Sequence, residues 1–190
     1  GYLSMDYTLK VMFVGDDGVG KTCLTTTIST NKFPLDYLPT MFDVLTKEVE
    51  VNGNKVQFAL WDTAGSPEYN QLRPLSYPET DIFIICYSPT TRNSFESITR
   101  SWIPEIQLNC PDVPFVILAT KIDLRDDEEI LNLLKEKNTT IVTFDEGRKL
   151  AIDNNASGYY ECSASTYKGI HSLMEDCARI IISHNNNNTQ

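Results

Sequence analysis

The residues best equipped for chemistry are Gly15-Asp16-Asp17-Gly18-Val19-Gly20-Lys21-Thr22. Their spacing fits G-x-x-x-x-G-K-[ST], in which glycines let the backbone curl until several N–H groups face one phosphate cluster. Lys21 is then placed to reach the β- and γ-phosphates, and the Thr22 hydroxyl to ligate Mg²⁺. A glycine-rich turn that binds nothing would use the same glycines, but it has no need of Lys-Thr at its end. Alone, the motif specifies a nucleoside triphosphate and no particular base.

Three later stretches narrow the chemistry. Asp62-Thr63-Ala64-Gly65 offers a carboxylate suited to hold Mg²⁺ through water and a Gly65 N–H free to approach a γ-phosphate; an ordinary Asp-initiated turn is the plain alternative. In Thr120-Lys121-Ile122-Asp123, the Asp123 carboxylate can accept both the ring N–H and the exocyclic amine of guanine, a pair adenine does not present. Lys121 can lay its alkyl stem across the base. Ser163-Ala164 would bring a backbone N–H to the guanine carbonyl oxygen.

These stretches need strands behind them. Leu9–Val14, Ile82–Tyr87 and Val113–Ala119 are apolar runs suited to strands covered on both faces. Thr46–Val51 and Lys55–Trp61 read as a hairpin about Asn52-Gly53-Asn54, and Gly158–Cys162 as a last short strand. Helices are expected after the first glycine loop, from about Asn93 to Leu108 with a kink or break at Pro104, and over Asp145–Asn154 and Ile170–Ser183. A short surface helix is expected within Glu128–Lys137. The alternation predicts an α/β fold: a mostly parallel six-stranded sheet with helices on both faces and its ligand beyond the carboxyl ends of the strands.

The chain has 190 residues and suits one domain. Its net charge of −10 argues against nucleic acid and anionic membrane surfaces as partners. Five scattered cysteines without zinc-type spacing read as reduced thiols, which predicts a cytoplasmic protein. No apolar run is long enough to cross a bilayer, and no signal peptide is expected. Residues 1–7 read as an N-terminal extension, with Gly1–Ser4 a cloning remnant, and 184–190 as a disordered polar tail.

With these motifs in this order, the chain resembles a Ras-superfamily small GTPase, and within it the Rho family, over a G domain at residues 8–183. The resemblance implies GTP or GDP with Mg²⁺, held by Asp16, Gly18, Val19, Gly20, Lys21, Thr22 and Cys23 of the phosphate loop, by Gly65, and by Thr120, Lys121, Asp123, Ser163 and Ala164 around the base. Tyr37-Leu38-Pro39-Thr40-Met41-Phe42-Asp43 resembles switch I, which makes Tyr37 a nucleotide contact and Thr40 the second protein ligand of Mg²⁺ beside Thr22, with Asp62 acting through water. Residues 62–78 resemble switch II, and the segment near 126–140 the Rho insert. Phe33 resembles the aromatic residue that packs on guanine, and Trp61 a Rac-type exchange-factor contact; core packing is the plain reading of both. By the same resemblance the partners are effectors at both switches and exchange factors, the role is cytoskeletal signalling, and the chain is a monomer.

Two residues depart from the family pattern. Asp17 stands where most members have Gly, projecting toward the γ-phosphate and the path of an activating protein's arginine; Ser66 stands where Gln normally orients the attacking water. Ser66-Pro67 resembles the Rnd subgroup, regarded as constitutively GTP-bound. The catalytic set Lys21, Thr40, Gly65, Ser66 and Asp17 is therefore expected to turn GTP over slowly. An ordinary cycling switch and a nucleotide-free interaction module are the alternatives. The chain given also ends without a prenylation box, so membrane attachment is expected only if such a box lies beyond it.

Overall fold

Alternating side chains along β1 (Thr8–Val14) set the two-sided character of the molecule. Leu9, Val11 and Phe13 enter one buried cluster, and Met12 and Val14 the other. The computed structural model describes residues 8–34 and 42–188, without the side chains of Phe42 and Asp43. Of the expected switch I, Tyr37 and Thr40 thus lie outside the described residues.

Six strands form one sheet in the order β2-β3-β1-β4-β5-β6. Among the described residues, strands β2 (Phe42–Val51) and β3 (Asn54–Thr63) make the one antiparallel pair, joined by the turn with Asn52 and Gly53 at positive φ. β3 and β4 (Ile82–Tyr87) flank β1 in parallel, followed by β5 (Phe115–Ala119) and β6 (Tyr159–Glu161). β1 is therefore the point from which the strand order runs both ways, the usual place for a ligand crevice.

Helices cover both faces. α1 (Lys21–Thr30) and α6 (Ile170–Asn188) bury Leu24, Ile28, Leu173, Met174, Cys177 and Ile181 against one side. On the other lie α2 (Arg92–Ser97), a π-turn at Ile98–Trp102, α3 (Ile103–Asn109) and α5 (Phe144–Asp153). The π-turn is how this helical run admits Pro104, whose ring and missing N–H forbid the regular ladder one turn back. The run continues through Pro104 and does not break.

α4 (Glu128–Glu136) occupies the expected insert; its Asp127 cap accepts from the Ile130 N–H. One expectation needs correction. The polar tail set at 184–190 is helical as far as Asn188, because α6 is nucleated by its buried turns and each added residue then needs only its own hydrogen bond. No helix among the described residues is long and apolar enough to cross a membrane.

Candidate functional site

Four strand ends converge. The phosphate-type loop leaves β1, Asp62-Thr63-Ala64-Gly65 closes β3, Thr120–Asp123 leaves β5 and Ser163-Ala164 follows β6. The Thr63 hydroxyl donates to the Phe13 carbonyl at 2.7 Å, tying the β3 end to β1. Thr120 ties the third loop to the first by donating to the Val19 carbonyl at 2.5 Å. It is thus a brace between loops, 3% exposed, and its hydroxyl faces protein.

Lys21 lies over the loop it terminates. Its ammonium donates to the Gly15 carbonyl at 2.5 Å and the Asp16 carbonyl at 2.9 Å and is 5% exposed. Burial pulls its pKa below the usual lysine value, while nearby acidic groups, Asp62, Asp17 and Asp16 among them, oppose that shift. A buried cation ringed by carbonyls is well suited to an anionic ligand. The loop's curl depends on Gly15, at φ 146°, where a Cβ would sit 2.4 Å from the Cys86 carbonyl oxygen.

The Thr22 hydroxyl donates to Asp62 Oδ2 at 2.5 Å. Among the described residues no three His, Cys, Asp or Glu side chains cluster as a metal cage. One hydroxyl and one carboxylate side by side nevertheless fit Mg²⁺, a hard ion that takes few protein oxygens and fills its octahedron with water and phosphate.

At the base end, Asp123 accepts from the Ser163 hydroxyl at 2.8 Å and the Ser165 hydroxyl at 3.2 Å, which aim the carboxylate. A cavity of about 230 Å³ opens there, lined by Phe33, Lys121, Asp123, Leu124 and Ala164 among others. It shares Gly20, Cys23, Phe33 and Lys121 with a second space of about 410 Å³ over Gly18, Lys21 and Thr22. A flat base and a chain of phosphates would lie end to end along the two. Lys121, at φ 54°, donates to the Gly18 carbonyl at 2.8 Å and lays its stem along Gly20. Burial raises the Cys23 thiol pKa, so it behaves as an uncharged wall. Phe33, 46% exposed, stands at the rim of both cavities.

Several supporting residues escaped the sequence reading. Arg125 forks onto Glu161 with two 2.7 Å bonds. Arg125 follows Asp123 by two residues and Glu161 precedes Ser163 by two, so this pair locks together the two loops that would hold the base. Asp16 turns its side chain away from the cavity: Oδ1 accepts from Trp102 Nε1 at 2.9 Å and Oδ2 from the Ser97 hydroxyl at 2.6 Å. Its backbone alone is left to the ligand.

The Trp102 ring lies under the buried Arg73 guanidinium at 4.5 Å. Arg73 in turn donates to the Ala64 carbonyl at 2.7 Å, the Ser66 carbonyl at 3.0 Å and Glu105 at 2.7 Å. Glu105 also accepts from the Tyr77 hydroxyl, whose pKa is raised by burial and by that bond. Residues 64–66 are thereby latched to α3. The only signal in the sequence was Arg73 itself, next to Pro74 in the expected switch II.

The two departures sit together. The Gly65 N–H donates to Asp17 Oδ1 at 3.0 Å. The Ser66 hydroxyl is 3.4 Å from Glu68 Oε1. Gly65 packs so closely on the phosphate loop that a Cβ would come within 2.1 Å of the Gly15 oxygen. Asp17, Gly65 and Ser66 also border a groove of about 1050 Å³ that runs along Ser97, Arg100 and Leu108. Trp61, half-buried against the second core, carries the Lys10 ammonium 4.1 Å from its ring centroid.

A sequence model described as the Ras family matches residues 10–183, nearly the whole chain.

Proposed function

The chain belongs to the Ras family of small GTPases, proteins that bind GTP and GDP and signal through that choice, and from this premise we propose that it is a Rho-type member whose hydrolysis of GTP is slow. The observation that carries the proposal is Ser66. Its hydroxyl is directed to Glu68, and no amide side chain occupies the position after Gly65 from which the attacking water would be held. Asp17 adds to this, because a carboxylate beside Gly65 opposes the charge that develops on the transferred phosphoryl group and the entry of a partner's arginine. The Rho assignment is supported by α4, a capped helix at the expected insert.

Lys21 would hold the phosphates, Thr22 and Asp62 the Mg²⁺, and Asp123, aimed by two serines, the guanine edge. Bound there, Mg²⁺ would offset phosphate charge. By family likeness the remaining contacts would come from Thr40 in the metal shell and Tyr37 in switch I. Once loaded with GTP, the protein would present residues 37–43 and 62–78 to effectors for long periods, in cytoskeletal signalling by family likeness. Exchange factors would act on the same face, with Trp61 among the contacts.

The test is single-turnover hydrolysis of bound GTP with Mg²⁺, comparing the chain with Ser66→Gln and with Ser66→Gln plus Asp17→Gly. The double variant is expected to be faster by roughly a hundredfold, the worth of one well-placed transition-state group. A parent chain already as fast as the double variant would make the protein an ordinary cycling switch. Guanine nucleotide binding to none of the three proteins would leave an interaction module.

A further inference from the structure

We infer that the Asp17 carboxylate is an internal surrogate for the terminal phosphate of GTP, holding Gly65 while GDP is bound and lowering the preference for GTP over GDP. The inference rests on the nucleotide-binding reading above and concerns which nucleotide the site prefers, a property separate from the rate of hydrolysis.

The argument starts from one proton. The Gly65 backbone has a single N–H, and it donates to Asp17 Oδ1 at 3.0 Å, ordinary geometry for a bond to a charged acceptor. In the nucleotide-binding reading the same N–H is the donor that switch II offers to the γ-phosphate. One hydrogen cannot serve a carboxylate and a phosphate oxygen at full strength. A triphosphate must therefore displace Asp17 and then tolerate its charge nearby, whereas a diphosphate leaves the bond intact.

The surrounding contacts make the surrogate effective. Gly65 lies against the backbone of Gly15, Asp16 and Asp17, with no room for a Cβ, so the 62–65 loop is seated on the phosphate loop. Arg73 holds that loop from its other side through the carbonyls of Ala64 and Ser66. Asp16, next in the chain, is anchored on Trp102 and Ser97, which fixes the backbone from which Asp17 projects. Asp17 itself is exposed, so its side chain can be exchanged without opening the core.

A hydrogen bond to a charged acceptor contributes enough to change a ratio of affinities by roughly tenfold to a hundredfold. The experiment measures dissociation constants for GDP and for a non-hydrolysable GTP analogue, with Mg²⁺, on the full chain and on Asp17→Ala and Asp17→Asn. Asp17→Ala is expected to shift the ratio of the two constants toward the triphosphate by that factor. Asp17→Asn keeps a neutral acceptor and should fall between. In the GDP complex the Gly65 amide proton, followed by NMR hydrogen exchange, should be protected in the parent and lose protection in Asp17→Ala.

Equal ratios within twofold across the three proteins would overturn the inference while leaving nucleotide binding in place. A shifted ratio with unchanged Gly65 protection would also overturn it, since only charge repulsion would then be at work. Failure of all three proteins to bind either nucleotide would remove the binding reading and the inference together.

Discussion

Replacing Arg73 with Met tests how the 62–66 loop is held. The guanidinium is 1% exposed and donates five hydrogen bonds: one each to the carbonyls of Ala64 and Ser66, two to Asn70 Oδ1 and one to Glu105. Met fills much of the volume and keeps contact with Trp102, so the loss is chiefly polar. It strands the Glu105 carboxylate, whose side chain is 16% exposed, leaving it the Tyr77 hydroxyl as its partner from the former cluster among the described residues.

Removing one partner of a buried ion pair costs about 3–5 kcal/mol, and the partial exposure of Glu105 places this case near the lower figure. At about 2–4 °C per kcal/mol for a domain of this size, the midpoint should fall by about 6–12 °C. Urea unfolding at fixed GDP and Mg²⁺ measures the change without altering ligand linkage. Adding Glu105→Gln to Arg73→Met should recover part of the loss, since the stranded charge is gone, with a coupling of about 1–3 kcal/mol. A single-variant loss under about 1 kcal/mol would show that the latch contributes nothing to stability, and strict additivity in the double variant would show that Arg73 and Glu105 are not coupled.

Two further outcomes follow from the same geometry. Gly65→Ala places a methyl within 2.1 Å of the Gly15 oxygen and must lift the 62–65 loop off the phosphate loop; we expect GTP-analogue affinity to fall more than GDP affinity, and calorimetry showing unchanged binding of both would contradict the close packing. The Arg92 fork, with the Thr143 cap, holds the Glu146 carboxyl down at about 2 against its ordinary 4.5. A depressed folded-state pKa contributes stability that is complete above the unfolded value and lost as pH falls toward the folded one. Arg92→Met should therefore flatten the acid dependence of stability between about pH 5 and 2, by a small amount because the pair is partly exposed; an unchanged slope would exclude the pair as its source.

The elements were legible where pattern and spacing are local. The apolar run that became β4 keeps its expected bounds, and β1 starts one residue before and β5 two residues after expectation, because a strand buried on both faces has little choice of side chains. The hairpin about Asn52-Gly53 was equally plain. The helical run interrupted at Pro104 was readable as a kink or a break, and only packing of Ile98, Trp102, Ile103 and Ile106 on the sheet settled it as a π-turn between α2 and α3. α6 runs past its expected end because composition argues for solvation of the asparagines, while helix propagation depends on the turns before them.

The site divides along the same line. Gly15, Gly20, Lys21 and Thr22 lie within eight consecutive residues, so their spacing alone determines that N–H groups, an ammonium and a hydroxyl surround one point. Asp62, Asp123 and Ser163 were identifiable because each lies at or just beyond the carboxyl end of a strand, and strands of a parallel sheet end on one side. No spacing could announce that Asp17 bonds Gly65 across 48 residues, that Asp16 turns to Trp102 across 86, or that Arg125 forks onto Glu161. The first two exist because β1 lies between β3 and β4 and its loop reaches Trp102 between α2 and α3, and the third because β5 pairs with β6. A hydrogen bond requires its two groups within about 3 Å, and for residues this far apart in the chain only the packed sheet brings them there.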